Sequence, residues 1–92
     1  MLDEIKKIQG INHNEFDKTI KNYIESAKED LKSIGIVDTK IEDSASINTA
    51  IITYVLSFLD VNNSEMYANS YRLQKDSLRH TSEYTLEEQN GI

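Results

Sequence analysis

The sequence has no cysteine, no proline and no tryptophan, and only three glycines among 92 residues. Without cysteine there is no disulfide framework and no thiolate metal site, which fits a reducing compartment. Without proline, helices meet few breakers, and Gly10, Gly35 and Gly91 mark element edges. Three scattered glycines also leave no Gly-rich phosphate loop. Long apolar runs are missing: "AIITYVLSFL" falls far short of the roughly 20 residues a membrane span needs. The opening "MLDEIKKIQG" is charged and has no apolar centre, so it does not read as a signal peptide. A soluble protein without a membrane-bound part is expected. No repeat or low-complexity tract is evident.

Positive charge is also scarce. The net charge is −6, with seven Lys/Arg against eleven Asp/Glu in residues 1–60 and three against five in residues 61–92. Nucleic-acid binding needs clustered cations to neutralise phosphates, so the chain is a poor general binder of it. Ninety-two residues make one domain, expected here over residues 1–80, with a flexible tail over 81–92. A chain this short buries a small share of its surface, so partners matter to its stability.

What is present is helical periodicity. Leu2, Ile5 and Ile8 mark a short first helix that Gly10 ends. Asn12 followed by Glu15 has the form of a capping box, and Ile11 and Phe16 occupy the staple positions around it. A long second helix is therefore expected from this cap to about Ile34. Its apolar residues Phe16, Ile20, Tyr23, Ala27, Leu31 and Ile34 are spaced by 4, 3, 4, 4 and 3. Gly35 suits a left-handed residue after the last turn, with Ile36 folding back on Leu31. "VDTKIEDSAS" reads as a polar connection, and Asp43, Ser44 or Ser46 as the cap of a third helix over about Ile47–Asp60. That helix is apolar over most of its circumference, which marks it as central. "DVNNSEMYAN" reads as a loop before a last helix, "SYRLQKDSLRH", residues 70–80. The fold class is thus all-α: a small bundle of three main helices plus a short N-terminal one.

Candidate chemistry is thin. His13 and His80 lie at opposite ends, with no Cys and no second His at helical spacing, so neither belongs to a zinc site. Asp60, Asn62 and Ser64 imitate the start of a calcium loop, but Glu65 stands where glycine is needed and Tyr71 where the last glutamate is needed. Glu25, Glu29 and Asp30 are interleaved with Lys21, Lys28 and Lys32, the pattern of a solvated, salt-bridged face rather than a catalytic carboxylate pair. Ser77, His80 and Ser82 lack an orienting acid in a defined place. No catalytic, cofactor or metal site is assigned, and the protein is read as a non-enzyme.

Arg72, Lys75 and Arg79 recur at i, i+3 and i+7, one basic stripe on an acidic chain. It is a solvated face paired with Asp76 and Glu83, a dock for an acidic protein surface, or, against the net charge, a DNA-contacting helix. Tyr67, Tyr71 and Tyr84 flank it, and Tyr and Arg are favoured at interface centres. These six residues form the expected interaction surface.

Three stretches carry a resemblance across nearly the whole chain. "MLDEIKKIQGINHNEFDKTIKNYIESAKEDLKSIGI" is similar to the opening of the head–tail connector (adaptor) proteins of tailed bacteriophages and related prophages. "INTAIITYVLSFLDVN" resembles their central helix, and "SYRLQKDSLRHTSEY" their closing Arg-containing helix. The resemblance implies a structural virion protein at the head–tail interface, assembled in the bacterial host cytoplasm. It implies a homo-oligomeric ring, commonly dodecameric, beneath the portal protein. Such a ring extends the DNA exit channel, lets the genome pass without specific binding, and offers a docking surface to stopper or tail-completion proteins. It uses no cofactor. The residues alone also allow a small helical regulator that binds DNA or a protein through its last helix. Against a helix-turn-helix stands the connection at 60–69, read as some ten residues rather than three or four.

Overall fold

The structure is a computed structural model that describes residues 1–41 and 44–81. Asp43 as a cap, the tail beyond Thr81, Ser82, Glu83 and Tyr84 therefore lie outside the described residues. The all-α fold is as expected. The described elements are α1 (Leu2–Gln9), α2 (Asp17–Ser33), α3 (Asp38–Ile41), α4 (Ala45–Leu59), a 3₁₀ turn (Val61–Asn63) and α5 (Ser64–Arg79).

Both glycine stops form as the spacing predicts. At the end of α1, Gly10 sits at φ +69°; its N–H donates to the Lys7 carbonyl and the Ile11 N–H to that of Lys6. At the end of α2, Gly35 sits at φ +97°; its N–H donates to the Lys32 carbonyl and the Ile36 N–H to that of Leu31. These paired bonds satisfy carbonyls the helix itself leaves open, and the left-handed residue they need carries least strain as glycine. Ile36 and Leu31 are both buried.

α4 is central, as its all-round apolar pattern predicts. It packs against α1, α2, α3 and α5. Ile47, Ala50, Ile51 and Val55 are wholly buried, and they meet Ile5 of α1 and Ile20, Ala27 and Leu31 of α2 in one core. Of the candidate caps, Ser44 takes the position, with its Oγ accepting from the Ile47 N–H.

Three expectations are corrected. The capping box at Asn12 does not form, and α2 begins at Asp17 with no side-chain cap. The segment before it is instead tied to α1: Lys6 Nζ lies 2.8 Å from Asn14 Oδ1 and 2.9 Å from Asp17 Oδ1. These contacts hold the chain in a turn where the box needed helix. Second, the polar connection holds α3. Val37 and Ile41, one turn apart, are both buried and draw the segment onto the core. Third, the last helix starts at Ser64, six residues before residue 70, so the link from α4 is only residues 60–63. Asp60 caps this link, accepting from the Asn63 backbone N–H at 3.2 Å and from the Asn63 side-chain amide at 3.1 and 3.2 Å. Ser64 Oγ then donates to the Ser57 carbonyl at 2.8 Å, fixing the first turn of α5 to α4.

Candidate interaction surface

α5 lies along α4 but buries little of itself. Of its sixteen residues only Tyr71 and Leu78 are buried. Tyr67 is half-buried against the core. Leu73 stays 63 % exposed and Met66 53 %.

What α5 lacks in apolar cover it gains from one carboxylate of α2. The Tyr71 hydroxyl donates to Asp30 Oδ2 at 2.6 Å, and Lys75 Nζ reaches the same oxygen at 3.2 Å while lying 5.6 Å from the Tyr71 ring centre. Burial, and then the bond to Asp30, push the Tyr71 hydroxyl well above the ordinary tyrosine value, so it remains a donor. Tyr54 of α4 meets the Tyr71 ring edge-on at 5.1 Å, and its own hydroxyl is raised by burial and then by the Asp30 charge. Asp30 thereby joins α2 and α5 across the edge of α4.

This arrangement divides the expected surface. Tyr71 and Lys75 face inward to Asp30. Arg72 and Arg79 are exposed and make no ion pair with a described residue. Asp76, the expected partner of the stripe, instead approaches His80 Nε2 at 3.8 Å. Tyr67 packs at the helix start, and Tyr84 lies outside the described residues. Among the described residues, the α5 cations without an ion pair are thus the two arginines, the only arginines in the chain.

Residues assigned to the apolar core make a second surface. Phe16 is 49 % exposed and Phe58 51 % exposed. Phe16 precedes the start of α2, and Phe58 lies at the far end of α4. Phe58 stacks on Tyr23 at 4.8 Å with the rings 9° from parallel. With Ile11, Leu59, Gln9 and Thr19 these rings line an open groove of about 360 Å³. Gln9 Nε2 donates to Asp60 Oδ2 at 3.3 Å, placing that carboxylate at the groove's edge. Bonds from Asn63, then from Gln9, hold Asp60 below the usual carboxylate range, so it is charged at neutral pH. Glu15, which is exposed, precedes Phe16 in the chain, and Lys18 precedes Thr19. No spacing rule marks this groove, because Phe16 and Phe58 fit the apolar stripes as well as buried residues do.

The carboxylates of α2 are largely committed within the subunit. Asp17 pairs with Lys6, Glu25 with Lys28 at 3.3 Å, and Asp30 with Tyr71 and Lys75. Among the described residues no group of three or more His, Cys, Asp or Glu is placed to hold a metal ion. No described helix is long and apolar enough to cross a membrane.

A family model described as "Phage connector protein" matches residues 1–88. No curated protein and no solved structure matches the chain.

Proposed function

Because the chain belongs to the phage connector protein family, we propose that it is a structural virion protein that forms a ring below the portal. The ring extends the DNA exit channel and presents a docking surface to stopper or tail-completion proteins. It acts by assembly and not by catalysis. The observation that carries this reading is the family match over nearly the whole chain. Arg72 and Arg79, exposed and without an ion pair among the described residues, supply the chemistry by which α5 grips an acidic protein surface.

The regulator reading gains one point from the structure. The link between α4 and α5 is four residues, so its length no longer argues against a helix-turn-helix. Charge still opposes it. Lys75 is held by Asp30, and Glu65 and Asp76 stand on the exposed side of α5 with the arginines. Phosphate binding needs more free cations than two.

The test is electron microscopy of the protein mixed with its cognate portal, with DNA binding measured in parallel. Rings seated on the portal, and no salt-dependent DNA binding, are expected. In Arg72→Glu/Arg79→Glu the yield of portal-bound rings should fall about tenfold or more, the effect of roughly 1.4 kcal/mol or more lost at the contact. Wild-type protein that binds DNA and leaves the portal bare would overturn the reading. Full ring yield in the double variant would remove α5 from it.

A further inference from the structure

The groove and α5 are complementary, and they face different ways. On a helix, successive residues turn by about 100°, so Leu73 lies about 160° around α5 from Lys75. Lys75 points to Asp30 of α2, and Tyr71 and Leu78 point to α4. Leu73 and Met66 are consequently turned away from both helices. Arg72 and Arg79 lie between Lys75 and Leu73 on this outer face, and Asp76 lies beside them. The groove is built from α1, the turn before α2, α2 and α4, with no residue of α5. The outer face of α5 therefore cannot enter the groove of its own subunit.

We infer that the groove lined by Phe16, Tyr23 and Phe58 receives the outer face of α5 from a second copy of this chain. Leu73 and Met66 fill the apolar groove. Arg72 of the incoming copy meets Asp60, which is bonded to Gln9 of the groove, and Glu15, next to Phe16 in the chain; neither carboxylate has a cation partner among the described residues. Lys18 beside the groove faces Asp76 of the incoming helix. Apolar surface thus meets apolar surface, and both charge signs are matched, which fixes the direction of docking. Two different patches per subunit make a head-to-tail contact, which propagates from copy to copy instead of closing as a symmetric dimer. The inference deepens the connector reading and rests on it for the expectation that copies meet.

The absence of cysteine gives a clean test. Thr19→Cys places a thiol in the groove wall, and Asn69→Cys places one on the outer face of α5. The two full-length variants are mixed in equal amounts without portal, oxidised mildly over a concentration series reaching about 1 mM, and read by mass. A head-to-tail contact makes the mixed disulfide nearly all of the cross-linked dimer, well above its statistical share of half. The doubly substituted chain gives a ladder of higher multimers. Phe58→Glu or Leu73→Glu, each at a side chain at least half exposed, should return the mixed product to the statistical share while circular dichroism shows the fold intact. Statistical cross-linking, excess of either same-residue disulfide, no cross-linking, or indifference to both glutamates overturns the inference. Portal is absent throughout, so failure here leaves the portal test untouched. A bare portal alongside strong mixed cross-linking would refute only the connector reading.

Discussion

Removing the Tyr71–Asp30 bond should destabilise the protein out of proportion to the single atom lost. Tyr71→Phe deletes the hydroxyl while the ring keeps its place against Tyr54. A hydrogen bond to a charged acceptor contributes roughly 1.5–3 kcal/mol. Lys75 continues to hold Asp30, so the carboxylate is not orphaned, and the loss belongs at the low end, about 1.5 kcal/mol. Asp30→Ala removes the acceptor altogether and strands the buried hydroxyl. It also ends the Lys75 pair, whose partners are 25 % and 34 % exposed, so that part contributes no more than about 1 kcal/mol. The expected loss for Asp30→Ala is about 2–3 kcal/mol. In the double variant the hydroxyl is no longer stranded, so the two losses should fail to add by about 1–2 kcal/mol. Urea unfolding followed by far-UV circular dichroism measures each value. In a domain of this size about 1 kcal/mol corresponds to roughly 4–8 °C in Tm. Tyr71→Phe within about 0.3 kcal/mol of wild type, or strict additivity, would refute the reasoning that Asp30 ties α5 to α2.

Other outcomes follow from the same contacts. The Tyr71 hydroxyl is raised in the folded protein above its ordinary value of 10. The stability it contributes is therefore complete below pH 10 and is lost as the pH climbs beyond it. Tyr71→Phe should flatten this alkaline decline, and in wild type tyrosinate absorbance should show Tyr71 ionising only as the fold opens. Asp60 has the opposite sign: its carboxyl is held below the ordinary value of 3.8, so its contribution is present above that pH and fades as acid protonates it. Asp60→Asn should make the acid limb of a stability–pH curve less steep. Gly10 has open space where a Cβ would go, so Gly10→Ala isolates the cost of its left-handed backbone, about 1–2 kcal/mol by thermal melts. Gly10→Asn should recover part of that loss, because asparagine tolerates this conformation better.

The reliable features in the sequence were those with a local cause. A glycine after an apolar stripe stops a helix because few other residues accept the left-handed turn, and both Gly10 and Gly35 do this. An apolar pattern around a whole helix means burial on several sides, and α4 has it. The Asn12 capping box was locally as good, yet Lys6, far away in α1, claimed Asn14 and Asp17 and set the helix start instead. The early start of α5 was hidden because Ser64, Asn69 and Ser70 are weak helix formers. The cap from Asp60 and the packing of Tyr67 and Tyr71 on α4 override that weakness. For the interaction surface, periodicity located the arginines but could not separate Lys75 from them, since Asp30 lies 45 residues away in the chain. The groove was not legible at all, because exposure of Phe16 and Phe58 depends on where neighbouring helices end.

The charge distribution bears on how salt would act on the proposed docking and on the fold. α1 sets Asp3 and Glu4 against Lys6 and Lys7, α2 sets four carboxylates against four lysines, and α4 carries no charge. α5 alone has a cationic surplus, three Lys/Arg against Glu65 and Asp76. The net acidity of the chain therefore comes from residues outside these helices in the sequence: Glu15, Glu42, Asp43, Asp60 and the three glutamates of residues 83–88. The fold itself is held by an apolar core and by the partly buried Asp30 contacts, which salt screens weakly. The proposed contact rests on the exposed arginines of α5, and the screening length is about 8 Å at physiological ionic strength. Rising salt should accordingly loosen docking while the subunit remains folded.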